Sequence, residues 1–207
     1  MKNLKTFLLA VIAGIAIGIG GTIYLTLDMY SSISVLFKVL GALFFAVGLY
    51  AICIHGLNLF TGKIGYVFDQ KNYLDLVLIW IGNFIGTWIC AFLINHTRLY
   101  VVENITKMCE TKMNDSLVSL LILGFFCGLL MFIAVDGYKK CKNPLILFIC
   151  VATFILCGFE HCIADMFYFS LADAWCLTSF IDILIITLGN ALGAFLIPIT
   201  KKIKEID

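Results

Sequence analysis

Apolar residues in this chain fall into long runs rather than the narrow stripes of a water-soluble helix. A membrane crossing needs about 20 consecutive apolar residues to traverse a ~30 Å hydrocarbon core. Runs of that kind occupy roughly residues 6–27, 34–56, 74–95, 117–136, 145–172 and 178–199, which predicts six spans. Two of the six are interrupted. The fifth opens with apolar or weakly polar residues from Leu145 to Cys157, which as a helix reach only about 20 Å. It then reads Gly158-Phe159-Glu160-His161-Cys162-Ile163-Ala164-Asp165 before Met166-Phe167-Tyr168-Phe169 resumes the apolar pattern. Ionisable side chains at that depth are costly unless they face a protein-lined path or a partner, so they point to function. The second span repeats the design. After Phe44 to Ile54 come His55-Gly56-Leu57-Asn58-Leu59-Phe60-Thr61-Gly62-Lys63 and then the short apolar piece Ile64 to Phe68. Both read as discontinuous helices, tolerated where the exposed backbone lines a cavity or is packed in protein.

The span after each interruption carries the same signal, Gly82-Asn83-Phe84-Ile85-Gly86 in the third and Gly189-Asn190-Ala191-Leu192-Gly193 in the sixth. Glycines four apart let helices approach closely. Each half, about 1–96 and 112–200, thus runs span, broken span, span with G-N-x-x-G. Three spans per half send the second copy into the membrane from the opposite side. The expected fold is all-α and integral to the membrane: six spans in two inverted three-span repeats, one transmembrane transport domain over 1–207. Interrupted segments at matching places in two halves point to a transport pathway near mid-membrane. With the N-terminus inside, the cytoplasmic segments hold ten lysines, at 2, 5, 63, 71, 139, 140, 142, 201, 202 and 204, against Lys38, Arg98, Lys107 and Lys112 outside. That bias predicts both termini in the cytoplasm and, for a multi-pass protein, the inner (plasma) membrane.

Composition agrees with this solvent: 62% of residues are hydrophobic and 13% charged, with mean hydropathy +1.07, where soluble domains sit nearer half apolar and a quarter charged. The first apolar run is too long for a signal-peptide core and lacks a small-residue cleavage site, so it reads as a retained span. A formal charge of +1 argues against nucleic acid as a partner. Nine cysteines, with no Cys-x-x-Cys pair, lie mostly inside apolar runs, where cysteine packs as a small hydrophobe. Neither a cofactor nor a disulfide framework is expected.

Gly56-Leu57-Asn58-Leu59-Phe60-Thr61-Gly62 and Gly158-Phe159-Glu160-His161-Cys162-Ile163-Ala164-Asp165-Met166-Phe167 resemble the two signature segments of the formate/nitrite transporter family. Leu4-Lys5-Thr6-Phe7 ahead of Ala13-Gly14, and the G-N-x-x-G of span six, are similar to that family as well. The resemblance covers essentially the whole chain. It implies an aquaporin-like protomer in the lipid bilayer, a homopentamer with one pore per protomer, and passage of small monovalent anions such as formate, nitrite or hydrosulfide, or of their conjugate acids.

The residues carry chemistry that suits such a path. An imidazole of ordinary pKa about 6.5 gains or releases charge around neutral pH, and a hydroxyl both donates and accepts. If the two broken segments meet, His161 and Thr61 form a polar pair in the membrane. Glu160 and Asn190 complete the expected pore centre, Glu160 mainly by accepting N–H groups of its loop or orienting its neighbours, with a proton relay as its secondary reading. His55 reads as a helix-end residue. Phe45 and Leu49 share a helix face, and Phe154 lies two turns before His161. The resemblance groups these three with Leu59, Phe60 and Met131 as two apolar constrictions. A dry constriction penalises a bare anion but passes its neutral acid. Lys5 and Lys112, on opposite faces by the topology above, are the vestibule candidates, and Lys112 matches the family's lysine before span four. Other lysines near 139–142 and 201–204 read as topology determinants.

Four positions depart from the family pattern: Asn58 stands where glutamate is usual, Asp165 where asparagine is usual, Cys162 where serine is common, and Gly128 in place of a pore asparagine. Asp165 would compensate for position 58 if the loops touch, whereas Gly128 would remove a polar pore contact. Three rivals are weaker. The His161/Asp165 spacing occurs in acyl-transfer sites, but no second polar cluster would bind an activated donor. His161, Cys157, Cys162 and Asp165 number enough for a metal, without a spacing that forces them together. A neutral-solute pore would be expected to show paired Asn-Pro-Ala loops.

Overall fold

The structure, a computed structural model, describes residues 2–99 and 102–204. In chain order its helices are α1 (Lys2–Asp28), α2 (Val35–His55), α3 (Phe60–Lys63), a 3-10 turn (Ile64–Tyr66), α4 (Val67–Gln70), α5 (Tyr73–Asn95), α6 (Val102–Met113), α7 (Leu117–Cys141), α8 (Leu145–Leu156), α9 (Cys162–Leu171) and α10 (Leu177–Lys204). No strand occurs among the described residues. Five helices, α1, α2, α5, α7 and α10, are long and apolar enough to cross a membrane, and α8 and α9 are shorter apolar helices.

Several boundaries differ from the pattern-based expectation. α7 continues to Cys141 and α10 to Lys204, because lysines at a helix end extend their heads toward water while their stems cover apolar surface. The non-helical stretches are also shorter than the sequence suggests. Helix resumes at Phe60 in the first half and at Cys162 in the second, so Thr61 and Asp165 are helical residues. α6, which no apolar run announces, fills the connection between α5 and α7.

α1 packs against α5 and α2, while α7 packs against α10 and α8. These crossings are close because of glycine. A methyl group at Gly14 would collide with the Asn83 carbonyl, and one at Gly128 with the Asn190 carbonyl. Gly86 and Gly193, the last glycines of the two G-N-x-x-G motifs, face the carbonyls of Val11 and Phe125 in the same manner. Gly128 is therefore a helix-crossing point, where the Asn190 carbonyl leaves no room for a Cβ. All nine cysteines are free thiols.

Candidate functional site

Two asparagines hold the two interruptions. α2 ends at Gly56, in the left-handed region at φ 63°, whose N–H returns to the Ile52 carbonyl, and the Leu57 N–H bonds the same oxygen. The exposed backbone that follows is met by Asn83 of α5. Its Oδ1 accepts from the Phe60 N–H at 2.9 Å, and its Nδ2 donates to the carbonyls of Ala10 and Asn58 at 2.8 Å each. Asn190 of α10 does the same work between α8 and α9. It accepts from the Cys162 N–H at 3.0 Å and donates to Gly124 and Glu160 carbonyls at 2.8 Å each. The parallel extends to the backbone, where the Asn58 N–H reaches Leu9 and the Glu160 N–H reaches Leu123, both at 3.4 Å. Buried polar groups need such partners. Asn190, expected to face the pore, thus has its whole amide engaged by the backbone and acts by positioning the loop.

The loops so held meet at Thr61 and His161. His161 is the N-cap of α9, and its Nδ1 accepts from the Ala164 N–H at 3.1 Å. A ring nitrogen that accepts carries no proton, so the neutral imidazole is the Nε2–H tautomer. Nε2–H then donates to Thr61 Oγ1 at 2.9 Å. Both residues are buried. Phe154 stacks on the imidazole with ring centroids 5.7 Å apart, and Phe45 meets Phe154 edge-on at 6.0 Å. Phe45, Leu49, Leu59, Phe60, Met131 and Phe154 are all buried.

Cavities lie toward opposite ends of α7. One, of about 130 Å³, has Leu49 and Leu59 at its apolar wall and Lys63, Lys139 and Lys142 among its lining, with no carboxylate among the described residues. The other, of about 450 Å³, is bounded by Phe154 and His161 at depth and holds Lys112, Glu160 and Asp165, with Lys38 and Asp115 also lining it. Lys5 is exposed on α1 and lines neither cavity, so of the two expected vestibule lysines only Lys112 lies in one. The basic mouth is formed instead by lysines that sequence reasoning assigned to topology alone.

Lys112 is not a free vestibule cation. Glu160 Oε2 lies in direct contact with its Nζ, and Asp165 Oδ1 is 3.0 Å away. Burial by itself would lower the pKa of this ammonium, but the carboxylates of Asp165 and Glu160 more than reverse that and hold it well above the ordinary lysine range. Glu160 thus pairs with Lys112, where the sequence had it accepting loop N–H groups or orienting its neighbours. Asn58 donates to the Thr6 carbonyl at 3.0 Å, whereas Asp165 faces Lys112. The same geometry bears on the rivals. Asp165 turns to Lys112 and His161 Nδ1 to an amide, which leaves no histidine–aspartate pair for acyl transfer. Among the described residues no group of three or more His, Cys, Asp or Glu side chains is arranged to hold a metal. His55 ends α2 and is exposed. Asn83 is the site residue that sequence reasoning passed over, although its G-N-x-x-G context announces it as the counterpart of Asn190.

The family described as formate/nitrite transporter matches residues 1–201 of the chain. The formate channel FocB of Escherichia coli (strain K12) is 28% identical over 193 residues, covering 84% of this chain and 68% of its own length. The nitrite transporter NirC of Salmonella typhimurium is 28% identical over 204 residues, 87% of this chain and 76% of its own. The chain spans about two thirds of the length of the curated formate channels it matches. A solved pentameric formate channel with formate bound has the same fold, with a TM-score of 0.87 at 24% identity, covering 100% of this chain and 98% of that one.

Proposed function

The chain belongs to the formate/nitrite transporter family, and from that premise we propose that it carries small monovalent weak-acid anions, formate, nitrite or hydrosulfide, across the inner membrane. On this reading α8 and α9 are two halves of one crossing. The chain then makes six crossings in two inverted repeats, about 1–96 and 112–200, in a single aquaporin-like transport domain. The matching asparagine bonds support that repeat. Both termini are cytoplasmic, and five copies assemble with one pore in each.

The observation that carries the reading is the His161–Thr61 hydrogen bond, buried between two cavities and hemmed by apolar side chains. The Lys63, Lys139 and Lys142 mouth concentrates anions from the cytoplasmic side. Phe45, Leu49, Leu59, Phe60, Met131 and Phe154 form the constrictions. Moving a bare anion through such a region costs far more than moving its neutral acid. Thr61, its oxygen accepting from His161 Nε2–H, offers its O–H to the permeant where water is excluded, and Asn83 and Asn190 hold both residues in place. Permeation is thereby proton-linked, the anion crossing the narrowest part protonated or strongly hydrogen-bonded. The test is flux of formate, nitrite and hydrosulfide into proteoliposomes. Flux that rises toward mildly acidic pH and drops in His161→Ala and Thr61→Ala is expected. Intact pentamers that pass no small weak acid would overturn the proposal.

A further inference from the structure

Asp165 is the departure that the transport reading leaves without a role. It sits in the first turn of α9, with its side chain 2% exposed. Oδ1 faces the Lys112 ammonium, whereas Oδ2 is buried without a hydrogen-bond partner. Glu160 is on the same ammonium. Fully ionised, this cluster holds two carboxylates and one cation, a net charge of −1 at the wall of the 450 Å³ cavity.

Among the described residues the surroundings supply no second cation at that depth, and α10 adds a further buried carboxyl, Asp182, whose charge interacts with that of Glu160. From α1 come Tyr24 and Asp28, from α6 Cys109 beside Lys112, from α7 Cys127, and from α9 Cys162 and Tyr168. Phenols and thiols at their ordinary values are uncharged near pH 7. His161 also lines the cavity, and the Ala164 amide occupies its Nδ1. Lys38 and Asp115, the remaining charges of the lining, are exposed, of opposite sign and screened by solvent. A buried carboxylate without a partner is costly, and where two carboxylates share one cation the one left with an unpartnered oxygen is driven toward its neutral form.

We propose that Asp165 carries a bound proton beside the Lys112–Glu160 ion pair, and that it hands this proton to a weak-acid anion arriving through the larger cavity. This rests on the transport reading given above. In the transfer the Asp165 O–H bond breaks and a bond from the same proton to the anion forms. The neutral acid moves on toward His161, and the carboxylate left behind takes its next proton from bulk water through the cavity. One proton travels with each anion, so the step is electroneutral. Without the proton, the negative cluster repels the anion it is meant to admit.

The experiment uses the full-length chain reconstituted in liposomes. Infrared difference spectra should show a protonated-carboxyl C=O band at neutral pH. Asp165→Asn and Glu160→Gln each leave one carboxylate per ammonium, so each should abolish the band. Flux is then followed at a constant concentration of undissociated formic acid, where each added pH unit supplies about tenfold more anion. Wild-type flux should climb with the anion, while either variant should change by less than about twofold. In an Asp182→Asn background, which removes the other buried carboxyl with an unpartnered oxygen, a band absent from the otherwise wild-type chain, a band surviving in both variants, or variants that follow the anion like the wild type would each overturn the proton site. If the band behaves as stated and no weak acid crosses, the site stands and the transport reading fails. Where one variant does not fold, the other and the wild-type spectrum still decide.

Discussion

At Asn83 and Asn190 single residues close each interruption with three buried hydrogen bonds apiece. Alanine at either position leaves an amide and two carbonyls without that partner, and each unsatisfied buried group costs about 1–3 kcal/mol. Asn83→Ala and Asn190→Ala should therefore each destabilise the fold by about 3 kcal/mol or more. Thermal unfolding in detergent measures this, and losses below about 1 kcal/mol would show the bonds to be replaceable. Thr61 is tested by shape against chemistry. Thr61→Ser keeps the hydroxyl that accepts from His161 and should retain flux. Thr61→Val keeps the volume but not the oxygen and should lose most of it.

At the scale of elements, His161 belongs to two structures at once, since Nδ1 caps α9 and Nε2 faces Thr61. Loss of a helix cap costs about 0.5–2 kcal/mol, and asparagine caps as well as any residue. His161→Asn should thus keep α9 as stable as in the wild type while flux falls, whereas His161→Ala should lose both. Equal unfolding temperatures for the two variants would mean that the capping bond contributes little. The α7–α10 crossing gives a second test. Gly128→Asn, which restores the side chain suggested by the family pattern, puts a Cβ against the Asn190 carbonyl. It should weaken folding and displace the loop that Asn190 holds, and native yield together with flux reports both.

For the whole molecule, the two mouths differ in charge. One is lined by Lys63, Lys139 and Lys142 with no acid among the described residues, and the other by a lysine matched with two acidic side chains. The orientation proposed above puts the basic mouth in the cytoplasm, and two exposed cysteines can verify it. Cys141 ends α7, while Cys176 lies near Met113, just before α7 begins, with their sulfurs 3.9 Å apart. The Cys176 thiol is lowered from its ordinary value by hydrogen bonds from the backbone and side chain of Ser179, which favours reaction with a thiol reagent. In a Cys157→Ser background, a membrane-impermeant maleimide added outside cells should label Cys176 at once and Cys141 only after permeabilisation. The reverse order would invert the topology.

What the sequence determined by itself is what the solvent enforces residue by residue. Hydrocarbon demands unbroken apolar runs, so the runs ending near His55 and Cys157 and the ionisable residues after them stand out along one dimension. The polar pair is legible for the same reason, because a histidine and a threonine at such depth have few uses. Partner choice was decided only by tertiary structure. Thr61 and His161 are 100 residues apart, and Lys112 and Glu160 are 48 apart. Helix crossings decide which of them meet, and those crossings depend on glycines at points such as Gly128. A carboxylate reads the same in sequence whether it faces an amide, a histidine or an ammonium. Asp165 became intelligible only when α6, an element without an apolar signature, brought Lys112 to it.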